Sequence, residues 1–472
     1  MIKTIFSSAF LLLLATFVMA QNKLTLQQAI QTGIANNLDV NQAGLQMQKQ
    51  GINLRQTKAF MSPDLNATAN YGINQGRSID PFTNSFITQK VGYVNYGAGS
   101  SILLFNGSSL QNKIKQNALA YEATKMELQQ AKDNLTINII LAYLQALSAE
   151  DVLEQSRQQV IVTGKQAERL GVLNNEGAIP PSQFYDVKGQ LANEQIAIAD
   201  NEAAVATAKL NLSQLMNIPY NKNLEVERLS EESFNMNYAE TPEKIYETSL
   251  KNFAQIKSAR LRTQSAEKAI RSAKGELFPT LILGGNVNTN YSSAATQSFL
   301  VNSVEIPSSD YVLVNGSQVP VITKQNNYNS RHINFGNQLG NNLFSTVNLN
   351  LSIPIFNASQ AKNKIKLAKI DFKNNELIEQ NAKTELQQSI ERAYVNVTNT
   401  LEKYKILQEQ VVAFTESFRA ADIRFNSGDI TSVDYLITKN NLDRSHTNLI
   451  IAKYDFVLRS KALDYYQGKA LW

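Results

Sequence analysis

The chain has 472 residues, a formal net charge of +5, two His, one Trp and no Cys. The absence of Cys excludes disulfide scaffolds, thiolate metal sites and cysteine nucleophiles. Lys and Arg do not cluster into a basic stripe, so we expect no nucleic-acid partner.

The first twenty residues predict a secretory signal peptide at 1–20. Lys3 supplies the positive charge, residues 10–14 lie in an apolar stretch, and Val18-Met19-Ala20 fits cleavage before Gln21. After residue 20 the sequence has no long uninterrupted apolar run, so we expect no membrane-spanning helix. An exported chain can still cross a membrane as a β-barrel, because barrel strands need only alternating apolar side chains.

One phrase of the sequence occurs twice. Residues 102–115, ILLFNGSSLQNKIK, and residues 353–366, IPIFNASQAKNKIK, are identical at eight positions at a constant offset of 251 (353 − 102). Gly177 and Gly428 stand at the same offset (428 − 177). Self-similarity over so long a period indicates duplication of one large unit.

Upstream motifs place the two repeats. SPDL at 62–65 corresponds to FPTL at 278–281, with an offset of 216 (279 − 63). The offset grows to 251 because the second half carries additional residues between its two alternating segments. We therefore place the first repeat at 21–216 and the second at 241–467.

A helix opens each repeat. Thr25 and Gln28 have the spacing of a capping box, and Pro63 closes the pattern, so we expect a helix at 25–61. The counterpart begins at Thr241, an N-cap residue followed by Pro242 at the first helical position.

Two strands follow that helix in each repeat, at 64–75, 93–105, 280–291 and 343–355. Apolar and polar residues alternate there, which is typical of a strand with one apolar and one polar face. In the second strand we expect Ile102 and Leu104 on the apolar face. The apolar face also carries Leu65, Tyr71, Leu283, Val347, Leu349 and Leu351, and the polar face carries Asn66, Asn70, Asn286, Asn348 and Asn350.

A long helix and a shorter helix complete each repeat. The long helices are predicted at 108–171 and 359–426, and the shorter helices at 182–216 and 431–466. Ser108 has capping-box spacing, and Gly177 and Gly428 lie in the tight turns between long and shorter helices. Each long helix spans on the order of 95 Å at ~1.5 Å per residue, which indicates coiled-coil packing beside the two shorter helices stacked end to end.

Four strands cannot close a membrane barrel, because at least eight are needed to leave no unpaired edge. The chain must therefore oligomerise, as a dimer with eight strands or a trimer with twelve. An eight-stranded barrel is filled by side chains, whereas a larger one holds water. The polar face of Asn, Thr and Gly favours the larger ring, with the apolar face against lipid.

The order and spacing of these motifs resemble the TolC-like outer membrane efflux protein family over essentially all of the mature chain. The shared features are the duplication, SPDL and FPTL, LFNG and IFNA, and the turns at 177–184 and 428–435. The resemblance implies a mixed α and β membrane protein. It would be a trimeric twelve-stranded β-barrel, with four strands from each chain, continuous with a long periplasmic α-helical barrel.

The same resemblance implies a location and partners. The protein would lie in the bacterial outer membrane and extend into the periplasm, as the passive exit duct of a tripartite efflux or type I secretion system. A periplasmic adaptor (membrane fusion protein) and an inner-membrane pump would supply substrate and energy. Residues 217–240 would form an equatorial segment, joined by the C-terminal tail at 468–472.

The resemblance also assigns roles at the helical turns. The turns at 171–180 and 425–430 would be periplasmic tips that contact the adaptor. The candidate contact residues are Val172, Leu173, Gly177, Ile179, Gly428 and Ile430. Their apolar side chains are expected either to be exposed for the adaptor or simply to cap the core of the hairpin. Asp434 is the candidate gate residue, one carboxylate from each chain forming a ring. The family's second acidic position falls on Ile437, and Thr431 to Asp434 also has the spacing of a capping box.

The alternative reading is a secreted structural coiled-coil surface protein, which would not conduct ions in a bilayer. We expect no enzyme and no catalytic, cofactor or metal site, because His332 and His446 have no nucleophile or ligand partner at motif spacing. The segments 75–92 and 292–341 are expected to be loops joining the strand pairs.

Overall fold

The structure, a computed structural model, describes residues 23–80, 84–229 and 240–469. The predicted signal peptide at 1–20 lies outside the described residues, as do parts of the predicted equatorial segment and tail. The described residues form two compact units. A helical unit comprises the chain up to Ile52, Ala118–Ala266 and the chain from Asp371, and a sheet unit comprises Asn53–Asn117 and Glu267–Ile370.

The secondary structure follows the predicted order of helices and strands. The helices are α1 (Leu26–Asn36), α2 (Leu38–Ala59), α3 (Ser109–Asn175), α4 (Pro181–Leu215), α5 (Pro242–Asn252), α6 (Ala254–Gly275), α7 (Phe335–Asn341), α8 (Gln360–Asn426) and α9 (Ser432–Gln467). The strands are β1 (Asn66–Asn74), β2 (Arg77–Ile79), β3 (Phe86–Thr88), β4 (Val91–Asn106), β5 (Thr280–Ser292), β6 (Thr296–Val314), β7 (Ser317–His332) and β8 (Phe344–Ser352). The long helices α3 and α8 have 67 residues each.

The prediction of one continuous opening helix over 25–61 is wrong in one respect, because the helix is broken at Asn37. Thr25 and Gln28 form the predicted capping box of α1. At Asn37 the backbone is extended, and the side-chain Oδ1 accepts hydrogen bonds from the amides of Asp39 (2.9 Å) and Val40 (3.3 Å). The side chain thereby caps a new helix, α2. Phe253 makes the same break between α5 and α6.

The two largest apolar cores of the helical unit join its helices. The larger lies among α1, α3, α4 and α9 around fully buried Ile139, Leu144 and Leu212, and the other lies among α5, α6, α8 and α9. Buried Tyr143 places its hydroxyl 2.8 Å from the carbonyl oxygen of Leu24 and 2.6 Å from that of Glu227. These contacts join the residues before α1 to the segment after α4, where Leu24 and Val226 form an isolated parallel bridge.

The sheet unit contains a four-stranded antiparallel sheet with the order β1-β4-β5-β8. Within the described residues, β1 and β8 each pair on one side only, so both edges present unpaired backbone groups. The central pair β4 and β5 is in register from Tyr93 with Ser292 to Asn106 with Thr280.

Two details of the strands differ from the predicted alternation. A bulge lies between Leu103 and Phe105, so Phe105, not Leu104, pairs with Leu281 and continues the apolar row. The predicted strand at 343–355 ends at Ser352, because Pro354 has no amide hydrogen to donate to a neighbouring strand.

The two segments expected to be loops carry regular structure. In 292–341, β6 and β7 form a two-stranded hairpin, followed by the short helix α7. Asn315 and Gly316 turn the hairpin with φ of 52° and 84°, the conformation of a type I′ turn. In 75–92, β2 pairs with β3, and residues 81–83 lie outside the described residues.

The turn from sheet to helix in the first repeat is capped differently from the prediction. Ser108 has φ of 61°. The oxygen that caps α3 is Asn106 Oδ1, which accepts from the amide of Leu110 at 3.3 Å. Gly107, with φ of 63°, approaches the carbonyl oxygen of Gly275 so closely that a Cβ would collide with it.

Among the helices that the structure describes, none is both long enough and apolar enough to cross a membrane.

Candidate functional site

The two helical hairpins of the helical unit, α3 with α4 and α8 with α9, have the same turn. The amide of Gly177 donates to the carbonyl of Asn174 (3.1 Å), and the next amide, of Ala178, donates to Leu173 (2.8 Å). Gly428 and the residue after it make the same two bonds, of 3.1 and 2.8 Å, at the offset of 251. This is the Schellman pattern that ends a helix.

A positive φ is required at the turning residue of both hairpins. Gly177 has φ of 66° and Gly428 has φ of 77°. Glycine adopts this left-handed conformation without the steric cost that a Cβ imposes. The sequence therefore locates both turns correctly.

The apolar residues of the turns form one core rather than an exposed surface. Buried Leu170, Val187, Phe425 and Tyr435 pack together from both hairpins, and the rings of Phe425 and Tyr435 stack with centroids 4.6 Å apart. The expectation of exposed side chains is wrong for Leu173, Ile179 and Ile430, which are half-buried against this core. They cover its end, because a buried cluster at a turn needs apolar side chains to exclude water. Val172 is 54% exposed, as expected.

Asp434 is exposed and caps its own helix. Its Oδ2 accepts a hydrogen bond from the Thr431 hydroxyl (2.7 Å) and a longer one from the Thr431 amide (3.4 Å), while the Asp434 amide donates to Thr431 Oγ1 (3.2 Å). The predicted capping box is therefore present. One helical turn later Ile437 is exposed, as is Val433.

Polar contacts join the two hairpins beside this core. The Ser432 hydroxyl donates to Asp186 Oδ2 (2.8 Å), and Gln190 Nε2 donates to Asn440 Oδ1 (2.9 Å). Arg169 donates to the side chain and to the backbone carbonyl of Asn426. The carboxylate of Asp186 occupies, at the offset of 251, the position that Ile437 holds in the second hairpin (437 − 186).

A buried charge cluster joins α4 to α9, and the sequence analysis did not identify it. The ammonium of Lys439, 2% exposed, lies 2.8 Å from Glu194 Oε1 and 2.5 Å from Asp443 Oδ2. Burial raises the pKa of the Asp443 carboxyl, and the charge of Lys439 opposes that rise. Glu194 Oε2 has no hydrogen-bond partner among the residues that the structure describes. The only sequence signal is the i, i+4 spacing of Lys439 and Asp443, because Glu194 is 245 residues away.

The sheet unit brings the alternating residues onto two distinct faces. Side chains of directly paired residues lie on the same face, and Tyr71 pairs with Val94, Ile102 with Leu283, and Leu283 with Leu349. One face therefore carries Tyr71, Leu283, Val347, Leu349 and Leu351, and the other carries Asn66, Asn70, Asn286, Asn348 and Asn350. Leu65 is exposed and immediately precedes β1.

The polar face is built from asparagines set against glycines. Asn348 Oδ1 lies 2.6 Å from the position that a Cβ would have at Gly284, its partner on β5. Asn288 Oδ1 lies 2.7 Å from the corresponding position at Gly97. The missing Cβ atoms leave room for the Asn side chains to lie along the sheet. The apolar face is uncovered in the isolated chain, with Val347 78% exposed and Leu349 61% exposed.

Among residues 23–80, 84–229 and 240–469, no three His, Asp or Glu side chains are grouped so that they could hold a metal ion. His332 is exposed at the end of β7, and His446 lies on α9 near Asp443.

The chain is similar in sequence to known outer membrane proteins. A model of the outer membrane efflux protein family matches residues 29–217 and 245–469. Outer membrane protein TolC of Vibrio cholerae is 20% identical over 428 residues, which cover 85% of this chain and 81% of that protein.

Solved structures of two further proteins show the same fold. CusC has a TM-score of 0.75 at 15% identity, covering 94% of this chain and 92% of its own. The outer membrane protein VceC of Vibrio cholerae has a TM-score of 0.74 at 12% identity, covering 95% of this chain and 97% of its own.

The buried charge cluster predicts a large cost for removing the ammonium of Lys439. Replacing Lys439 with Met leaves two carboxylates in the interior, and breaking such a cluster costs about 3–5 kcal/mol. The cost should be smaller at pH 5 than at pH 8, because Asp443, whose pKa is already raised by burial, takes up a proton at low pH.

Thermal unfolding of the purified protein at both pH values tests this expectation. Lys188→Met is the matched control, since Lys188 stands at the same offset of 251 (439 − 188) but is exposed. Equal unfolding temperatures for the two variants would show that the cluster does not stabilise the hairpin pair.

Proposed function

Because the chain belongs to the outer membrane efflux protein family, we propose that it forms the exit duct of a tripartite efflux or type I secretion system. It is an outer membrane protein with a periplasmic extension. The duct passes substrates that an inner-membrane pump and a periplasmic adaptor deliver, and it supplies no energy itself.

The observation that carries this proposal is the four-stranded sheet with two unpaired edges and an uncovered apolar face. Three chains in which β8 of each pairs with β1 of the next would make a closed barrel of twelve strands. Closure satisfies every edge hydrogen bond, which a sheet in lipid requires. A twelve-stranded barrel is wide enough to hold water.

The two faces of the sheet suit the two sides of such a barrel. The face with Leu283, Val347 and Leu349 would contact lipid, as would Leu65, Tyr71 and Leu351. The face with Asn348 and Asn350 would line a water-filled lumen. Alternation of apolar outside and polar inside is typical of outer membrane barrels.

The helices would form the periplasmic tunnel in the same trimer. Helix α8 exposes apolar side chains along its length, at Leu367, Ile378, Val395, Ile406 and Val412. Single apolar side chains are normal on a surface, but a series along one long helix is typical of a helix that packs against another. Helices of neighbouring chains are the partners that a trimer supplies.

The hairpin turns are the proposed contact with the adaptor. Val172 presents the exposed apolar side chain of the first turn. Gly177 and Gly428 set the shape of the two turns, while Leu173, Ile179 and Ile430 act mainly by closing the core beneath them. Docking would therefore use the shape of the turns and a few exposed side chains.

Asp434 is the proposed gate residue. Three-fold symmetry would place three Asp434 carboxylates around one axis, where they attract cations and can hold a divalent ion. The capping bonds to Thr431 leave the carboxylate exposed, so capping and gating are compatible. The position of the family's second acidic residue is apolar Ile437, so a single ring is proposed.

Ion conductance tests the proposed function directly. The purified protein, reconstituted into planar bilayers, should insert in uniform steps, because each closed trimer contributes one water-filled path. Heat-denatured protein at the same concentration is the control. Intact oligomers that are present in the bilayer but do not conduct would exclude a duct and favour a structural role.

The two faces of the sheet make opposite predictions for a new charge. Leu349→Arg should prevent accumulation of the assembled protein in the outer membrane, because an Arg facing lipid near the midplane costs about 2–4 kcal/mol in each chain. Asn348→Arg, one residue away on the polar face, should assemble normally. Quantification of oligomers in outer membrane fractions distinguishes them, and equal assembly would show that the faces are assigned wrongly.

Replacement of Asp434 with Asn should lower cation selectivity and weaken block by divalent ions in bilayer recordings. The physical reason is the loss of three charges at one constriction. Asp429→Asn is the control, because Asp429 is exposed in the same turn and paired with Arg424 at 2.8 Å. Unchanged selectivity and divalent block in Asp434→Asn, with Asp429→Asn also unchanged, would restrict Asp434 to its capping role.

Docking through the first turn predicts a crosslink at Val172. The chain has no native Cys, so Val172→Cys gives one defined attachment point. A thiol-reactive crosslinker should join it to the adaptor in cells that express both proteins. Lys405→Cys, exposed on α8, should not react with the adaptor. Crosslinking at 405 but not at 172 would place the contact away from the turns.

A further inference from the structure

An aromatic groove lies in the helical unit, apart from the hairpin turns. It has a volume of about 600 Å³ and lies among α1, α3, the break between α5 and α6, and the end of α9. Its size is within the range of small-molecule sites. Three rings form one wall: Phe253 meets Tyr465 edge-on with centroids 5.2 Å apart, and Tyr466 lies 5.4 Å from Tyr465.

A carboxylate faces the same groove. Asp133 on α3 lines it together with the three rings, and Ile30 of α1 is also part of the lining. Burial raises the pKa of the Asp133 carboxyl, although Gln129 donates a 2.7 Å hydrogen bond to it and the charge of Lys132 favours its ionised form. The carboxylate is therefore partly desolvated, and a cation in the groove would compensate for part of the lost solvation.

The remaining charges near the groove do not favour an anion. Lys469 lines it, but the charge of Lys469 acts on the carboxylate of Asp464, which Lys461 also approaches at 3.7 Å. An anion in the groove would be repelled by the carboxylate of Asp133. Aromatic faces attract cations, and a ring wall with a carboxylate is the usual recognition of ammonium ligands.

The corresponding junction in the first repeat lacks this wall. Asn37 takes the place of Phe253 at the offset of 216 (253 − 37), and Leu215 takes the place of Tyr466 at the offset of 251 (466 − 215). There, Asn37 Nδ2 donates to the Leu215 carbonyl at 3.5 Å, and Asn217 Nδ2 donates to the Asn36 carbonyl at 3.1 Å. At the first junction, amide side chains thus form hydrogen bonds to backbone carbonyls. At the second junction, aromatic rings lie beside a carboxylate.

We propose that this groove is a binding site for a monovalent organic cation with an aromatic or alkyl body. The charge lies against Asp133, and the body lies against Phe253, Tyr465 and Tyr466. The site belongs to the helical unit alone and does not depend on conduction through the protein.

The test uses the intact, detergent-purified oligomer and benzyltrimethylammonium as probe. Titration followed by saturation-transfer NMR should show saturable binding. Binding of the uncharged N-benzylacetamide, which has a body of similar size, should be at least tenfold weaker. Asp133→Asn should weaken binding of the cation at least tenfold, and Phe253→Leu should weaken it severalfold, because Leu fills space but has no ring.

Matched controls separate binding from folding. Glu385→Gln removes an exposed carboxylate elsewhere in the helical unit and should leave binding unchanged. Size-exclusion chromatography must show the same oligomer for every variant compared. The proposal is overturned if Asp133→Asn binds the cation as the unchanged protein does, or if the uncharged probe binds equally well. Binding that appears only after the oligomer is dissociated also overturns it, since the groove is then covered by a second copy.

Discussion

An unpaired sheet edge is the constraint on which the rest of this structure depends. The sheet β1-β4-β5-β8 satisfies its inner strands, but β1 and β8 each leave a row of backbone groups without a partner in the described chain. The apolar face of the sheet also lacks a covering surface in the isolated chain, because Val347 and Leu349 are largely exposed. When copies of the chain close the sheet into a ring in lipid, the edge strands gain hydrogen-bond partners and the apolar face is covered by lipid.

In the helical unit, contacts between side chains hold the two long hairpins together. The two hairpin turns have the same backbone hydrogen bonds. The two hairpins nevertheless carry different side chains at positions related by the offset of 251. Lys188 is exposed while Lys439 is buried between Glu194 and Asp443, and Asp186 accepts from Ser432 where the second hairpin has Ile437. A buried ion cluster is weak evidence for added stability, but it penalises any shift that separates its members. The pair of hairpins is therefore held in one register by directional contacts as well as by the apolar core.

Features set by neighbouring residues in the sequence were predictable. The capping boxes at Thr25 and Thr431 and the glycine turns at 177 and 428 were found because their signals lie within a few residues. The two faces of the sheet followed from period two alone. The hairpin of β6 and β7 differs from the predicted loop. Asn315-Gly316 is a strong turn signal, but a long segment rich in Ser, Asn and Val between two barrel strands is also typical of an external loop.

Features set by contacts between distant parts of the chain were not predictable. The half-burial of Leu173 depends on the second hairpin, and the full burial of Lys439 depends on Glu194, far away in sequence. The bulge at Leu104 moves the apolar row by one residue, and local alternation continues smoothly across that position. The aromatic groove brings together residues of five helices, and its rings have no shared motif.

Disulfide trapping between the two sheet edges tests the central claim most directly. The chain has no Cys, so Thr68→Cys on β1 can be combined in turn with Cys at positions 346, 348 and 350 on β8. Within one chain these strands are three spacings apart, roughly 14 Å, beyond the ~7 Å that a disulfide spans. Edge pairing between chains predicts that at least one combination gives covalent species that end at three chains. Oxidised protein that remains monomeric in every combination, or a ladder that continues beyond three, would contradict the closed trimer.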